Sequence, residues 1–461
     1  MKLTGIIFIL LCSTTLAYGQ KFSKGDVDND FKDLYRTLQE THYNLYAYKD
    51  KLQYDSLYNV LQSSIKADSL SLLETVSFYQ HLVSFANTGH CEIDFPAGPY
   101  IEYLKSGGTV FPLELSFENN KTFIRKNFSS IQHSIIGDEL ISIDDIPISS
   151  IEKDIFPLIS AERAYFKRAK IEFWSFPRIY FQQYGKKNHW QLKIKDKKGQ
   201  IKILKVHAIP AMEYEEKRGG EIVNPKRSVV FYKNTAYLNP GMLNSSEPEG
   251  FETYRNYIDS AFEKIKNHRS QSLIIDLRNN PGGDDAYSDY FISYFAKKPF
   301  RWYSKFSVKT SKVLKEHIRK QTDTTDSFSQ QLLTNRDGHI IPIDFPLSQP
   351  VNEAKIFKGH VYVLVNRQTY SMAAVSAALI QDYQFGTIAG EETGDTPTLY
   401  ASQFSFHLPR TGITVKVPKG YIIRPNGDEA LQGVIPDIII RDHLLDENDE
   451  ILKGLLIRIN K

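Results

Sequence analysis

Hydrophobic positions change their spacing along the chain, and the changes divide it into regions. Between residues 28 and 87 they recur at helical intervals. Phe31, Leu34, Tyr35 and Leu38 share one face, Leu57, Val60 and Leu61 make a second stripe, and Leu72, Leu73, Val76, Tyr79, Leu82 and Val83 a third. This predicts a small helical bundle, short for an independent core, that packs on the rest of the chain. It ends at Asn87-Thr88-Gly89-His90-Cys91, a turn followed by a short strand-like run over 92–95. Between about 107 and 207 the apolar runs are short and β-prone, at 110–115, 122–125 and 139–143. Asn119-Asn120 and Gly137-Asp138 separate them, and 191–206 reads as a hairpin around Lys198-Gly199. An aromatic, basic stretch over 166–184 interrupts this module. Lys193, Lys195, Lys197 and Lys198 read as a solvated strand face. From 229 onward the grammar alternates: strands at 229–232, 235–238, 272–277, 361–365 and 385–389, helices at 254–266, 286–296 and from 371. A polar excursion over 309–338 reads as a surface loop or a partly helical insertion. That order predicts an α/β region with helices packed on a largely parallel sheet.

Two corners of the α/β region carry chemistry. The run Val361 to Val365 suits a strand buried on both faces, and Met372, Ala373, Ala374, Ala377 and Leu379 favour helix. Ser371 therefore stands where a strand hands over to a helix N-terminus, where unpaired N–H groups face outward. Its hydroxyl is either a cap or a nucleophile. The other corner, Asp276-Leu277-Arg278-Asn279-Asn280-Pro281-Gly282-Gly283, follows a strand and precedes a helix. Its glycines make either a plain turn or a place where the backbone approaches a ligand closely. Beside a nucleophile, the N–H of Gly282 or Gly283 and that of Met372 would form an oxyanion hole.

Composition narrows the function classes. The chain has 461 residues, too many for one ordinary core, so two or three domains are expected. Net charge is +3 with no dense basic stripe, which excludes a nucleic-acid footprint. Lys2, the apolar run 6–11 and Ala17-Tyr18-Gly19 read as a secretory signal, with cleavage expected near Gly19–Gln20. The apolar run is far below the ~20 residues a membrane span needs. The mature protein is thus expected to be soluble and exported, periplasmic or extracellular. Losing Cys12 with the leader leaves Cys91 alone, so no intrachain disulfide and no thiolate metal cluster is expected. No pair of histidines stands at ligand spacing with a carboxylate, and no cofactor or metal is implied.

Taken together, these motifs resemble the carboxyl-terminal processing (tail-specific) serine protease family. Asp276 to Gly283 looks like its signature loop, and Tyr370-Ser371-Met372-Ala373-Ala374 like its nucleophile corner. Gly390-Glu391-Glu392-Thr393-Gly394, Leu408-Pro409 and Gly433-Val434-Ile435-Pro436-Asp437 resemble its later motifs. The run 135–148 resembles a PDZ pattern, with Asp145 where a glycine is usual. Tyr43-Asn44-Leu45-Tyr46 and Thr88-Gly89-His90 resemble the tricorn-like branch, which includes retinoid-binding relatives. The resemblance implies a crotonase-type core and peptide-bond hydrolysis through a seryl acyl-enzyme. Ser371 is then the nucleophile. Members with a Ser–Lys dyad carry a lysine in the turn that here reads Gly394-Asp395-Thr396-Pro397, so the implied base is His90. Its implied orienting carboxylate is Glu429, one residue before the strict position, Ala430.

The organisation expected is a signal peptide over 1–19, a helical region over 20–98, a PDZ-like domain over 99–210 and a protease core over 211–461. The substrates expected are proteins or peptides, engaged at their C-terminal ends. Two competing readings stay open: a silent ligand- or peptide-binding protein on the same scaffold, and Cys91 as the nucleophile.

Overall fold

A computed structural model describes residues 20–459 apart from 132–133, 221, 224, 245–249 and 321–323; the leader expected over 1–19 lies outside it. The N-terminal helices start where their caps dictate. Ser23 accepts the Asp26 N–H at the head of Lys24–Thr41, while Asp50 with Gln53 and Ser71 with Glu74 form capping boxes on Lys51–Ser64 and Leu72–Ser84. Val60 is exposed, so the expected second stripe is not the buried face. Tyr54 is the residue buried there, and its hydroxyl donates to Leu82 O at 3.1 Å. Phe31, Leu34, Tyr54 and Tyr79 share one apolar cluster with Leu273, Val363 and Val415 of the sheets. The helical region therefore has no core of its own. Buried Asp30 reinforces the join, accepting from the Thr411 N–H at 2.7 Å and hydroxyl at 2.8 Å.

The β module is one antiparallel sheet in the order Leu113–Glu118, Lys121–Asn127, Glu139–Ile143, His189–Lys195, Ile201–His207. Its core, including Phe111, Leu115, Ile124, Ile143, Trp190 and Leu192, is separate from the main one. Asp144 (φ 50°) and Asp145 (φ 62°) make the two-residue turn after Glu139–Ile143, an arrangement that needs positive φ at both positions and that Asp tolerates. The aromatic stretch forms two helices, Ala164–Trp174 and Phe176–Tyr184, packed on the first strand.

In the α/β region, Thr235–Asn239, Ser272–Asp276, His360–Val365, Thr387–Gly390 and Ile438–Ile439 run parallel in that order, with Ser228–Tyr232 antiparallel at the edge. Asp276 pairs with Leu364, so the loops after the two central strands emerge side by side at the carboxyl end of the sheet. The excursion over 309–338 contains the helices Lys312–Arg319 and Ser327–Thr334. A second, antiparallel sheet is dominated by the long hairpin Leu399–His407 and Thr414–Ile423, which the hydrophobic pattern did not announce. Glu92 forms only a bridge to it, its N–H on Lys416 O at 3.0 Å and its carbonyl accepting from Lys416 N at 2.9 Å. That bridge brings the segment bearing His90 to the sheet ends. No described helix is long and apolar enough to cross a membrane.

Candidate active site

The two loops at the sheet end are laced together. Asn279 N–H donates to Asn366 Oδ1 (3.1 Å), Asn366 Nδ2 to Asn279 Oδ1 (2.8 Å), the Thr369 hydroxyl to Leu277 O (2.9 Å) and Tyr370 N–H to Asn280 O (3.0 Å). This brings Gly282 against the serine corner. A Cβ on Gly282 (φ 84°) would lie 2.6 Å from Met372 N and 2.8 Å from Ser371 Cβ. One on Gly283 (φ 142°) would lie 1.9 Å from Leu243 O. Close approach, and not merely a turn, is why both are glycine.

Ser371 has φ 52° and ψ −130°, a sparsely populated conformation for a residue with a side chain, costing about 1–3 kcal/mol. Its hydroxyl makes no cap bond. It lies instead 3.0 Å from His90 Nε2. Among the described residues neither Met372 N–H nor Gly283 N–H has a hydrogen-bond partner. Gly282 N–H is occupied, donating to Asn280 Oδ1 at 3.0 Å. Of the two glycines offered by the sequence, Gly283 is thus the one with a free donor. Replacing Gly282 by alanine pushes a methyl group onto the Met372 N–H. We expect kcat to fall on the order of a hundredfold or more with a smaller change in KM, checked by steady-state kinetics on a peptide substrate.

His90 is buried and its ring stacks on Tyr370 at 4.9 Å. The backbone around it is tied on three sides. Gln403 Nε2 donates to His90 O (2.7 Å), the Tyr370 hydroxyl to Gly89 O (3.1 Å), and Gly89 N–H to Glu162 Oε1 (2.7 Å). Burial holds the imidazole down to about 4; Glu92 opposes the shift, and Lys170 and Lys416 add to it. The ring is therefore neutral at pH 7 and able to accept a proton.

Glu429 is not brought to this ring. It is exposed, its carboxylate accepts the Tyr421 hydroxyl at 2.8 Å, and among the described residues His90 Nδ1 has no hydrogen-bond partner. Its strand-end segment faces solvent beyond the long hairpin, which sequence spacing does not reveal. Cys91 is buried with its thiol pushed up by burial, the opposite of an activated nucleophile. Lys416 Nζ sits on Asp94 at 2.6 Å, and Lys419 Nζ donates to Ser402 O at 2.9 Å. Among the described residues no group of acids, histidines or cysteines could hold a metal ion.

Several site residues escaped the sequence reading. Arg367, four positions before Ser371, is buried and joins Glu391 (2.6 Å), Glu172 (3.2 Å), Glu118, the Phe117 carbonyl (3.1 Å) and the Asp442 carbonyl (2.8 Å). Burial pushes Glu172 up to about 7 although Arg367 pulls it down. Asp395 accepts the Ser371 N–H on Oδ2 at 2.9 Å and the Thr396 N–H on Oδ1 at 3.0 Å. An arginine inside an otherwise polar break, and an acid where a lysine is usual, were the only signals available.

Residues 243–440 match the model of Peptidase family S41, a span that includes Ser371, both glycines, Met372, Asp395 and Glu429 but not His90. The fold is similar to that of mature CPAF, with a TM-score of 0.62 at 16% identity over 95% of this chain and 96% of that one. Mature CPAF complexed with lactacystin gives 0.64 at 15% identity over 95% and 98%. At those identities the likeness is one of fold.

Proposed function

We propose that this chain is a serine endopeptidase of polypeptides, and the contact between Ser371 Oγ and His90 Nε2 is the observation that carries the reading. The serine is strained, uncapped and half-buried, opposite a buried neutral imidazole, with two N–H groups beside it that have no partner among the described residues. His90 takes the hydroxyl proton as Oγ attacks the scissile carbonyl, and returns it to the leaving amine. Gly283 and Met372 N–H stabilise the oxyanion. Stacking on Tyr370 and the three backbone ties orient the ring, which no side-chain carboxylate holds among the described residues. The match to Peptidase family S41 supports the reaction class.

The tricorn-like branch, export and a preference for C-terminal ends belong to the same proposal. Strand addition on the PDZ-like module needs an open edge. Leu113–Glu118 offers little, since Phe117 N–H donates to Glu172 at 2.8 Å and its carbonyl accepts from Arg367. Ile201–His207 is the other edge of the sheet, with Ile201 and Ile203 exposed, and we place an extended peptide there.

That His90 Nδ1 has no partner among the described residues favours the competing reading, a silent binding protein. Fluorophosphonate labelling of the purified protein separates the two. A nucleophilic Ser371 is modified covalently, with the adduct on its tryptic peptide by mass spectrometry. An unlabelled Ser371 in folded protein would favour the binder.

A further inference from the structure

Two carboxyl groups beside the site serve neither as nucleophile nor as base; one grips the backbone of Ser371 and the other that of Gly89, which leads into His90. Asp395, fully buried, accepts the N–H of Ser371 itself at 2.9 Å and that of Thr396 at 3.0 Å. Glu162 accepts the N–H of Gly89, the residue before His90, at 2.7 Å; its other oxygen is buried and without a partner among the described residues. Among the described residues the Ser371 N–H has Asp395 as its partner, and the residue's own hydroxyl is turned to His90.

We propose that Asp395 and Glu162 are a pair of positioning residues, Asp395 fixing the backbone of the nucleophile and Glu162 that of the base, so that Oγ and Nε2 meet at reacting distance. The inference rests on the reading of Ser371 and His90 as nucleophile and base. The two carboxyls also act on each other. Burial pushes the Asp395 carboxyl well above its ordinary range and Glu162 raises it further; burial likewise pushes Glu162 up. Lys170 faces both acids, Arg163 faces Glu162, and the Tyr48 and Tyr370 hydroxyls feel the field of both. Burial disfavours the charged form of both, so the pocket opposes two full negative charges at once, while Lys170 favours them. The turn occupied by a lysine in dyad members is thus used here to hold the serine, and proton transfer falls to His90.

The test compares the full mature chain with Asp395→Ala, Asp395→Asn, Glu162→Ala and Glu162→Gln, with Ser371→Ala alongside. Asp395→Ala should lower kcat and the rate of fluorophosphonate labelling together, on the order of a hundredfold, with KM nearly unchanged, since a displacement of about 1 Å at the reacting atoms costs that much. Glu162→Ala should fall in the same way. Glu162→Gln keeps an oxygen for Gly89 N–H and a donor at the other position, so it should recover about tenfold or more of that loss. A folded Asp395→Ala with normal kcat and labelling, or with a change confined to KM, overturns the proposal. If Asp395→Ala does not fold, Asp395→Asn decides. It keeps one acceptor oxygen of two, so a kcat loss that KM does not share supports the proposal, and wild-type kcat overturns it. Hydrolysis retained by Ser371→Ala removes the reading underneath, and the proposal with it. An inactive Ser371→Ala beside a fully active Asp395→Ala removes the proposal alone.

Discussion

Ser371→Ala is expected to abolish peptide hydrolysis and fluorophosphonate labelling while leaving the circular dichroism spectrum and Tm close to those of the parent. The expected loss in kcat is on the order of 10⁴-fold or more, the scale seen when a nucleophile that works as a unit with its base is removed. The small effect on stability follows from the geometry. A capping serine would forfeit about 1 kcal/mol on substitution, but this hydroxyl caps nothing, and its contact is a single one with His90 Nε2. The backbone strain at φ 52° is common to serine and alanine, so it cancels. Full residual hydrolysis by the alanine variant would show that the corner only terminates a strand.

His90→Ala should be nearly as damaging, and it carries a second signature in pH. A free histidine titrates near 6.5, and on sequence grounds the acid limb of kcat/KM would fall at roughly 6–7. The structure moves it. Burial, with Lys170 and Lys416 nearby, depresses the imidazole to about 4, against the opposing pull of Glu92. The sign is that of a base poised as neutral: lowering the pH through the folded pKa protonates Nε2 and stops proton acceptance. The rate should therefore be flat through neutrality and decline only well below pH 6. His90→Ala removes both the limb and most of the activity. Lys416→Ala takes away a cation that disfavours the imidazolium, so its limb should move toward higher pH with activity retained. Lys419, whose amine burial lowers to about 8, donates to Ser402 O. Lys419→Ala should leave the limb in place. An unchanged limb in His90→Ala would put the base elsewhere.

The parts of this protein legible in its sequence are those that neighbouring residues settle among themselves. Capping boxes at Asp50 and Ser71 start their helices because hydroxyl, carboxylate and amide lie within one turn. The buried strand ending at Val365 and the alanine-rich helix after Ser371 are local patterns, and they place the serine at its corner without further help. Paired glycines offered close approach only as one reading beside a plain turn, and the structure decides for it and adds what approaches: Met372 and Leu243. Tertiary contacts decided everything that turns on which distant group a side chain or amide meets. Pattern alone does not say that Asn280 takes the Gly282 N–H, or that Glu429 turns to Tyr421. Nor does it show the helical region to be part of the main core, since an amphipathic face is the same whichever apolar surface covers it. The long hairpin from Leu399 to Ile423 escaped for a related reason: its strands are buried on alternating and continuous stretches that mix both periods. The charge states at the site are the furthest from sequence. His90 and Asp395 have ordinary side chains, and only the burial that a completed fold imposes makes one a neutral base, with Lys170 and Lys416 adding to it against Glu92, and pushes the other up, with Glu162 adding to it.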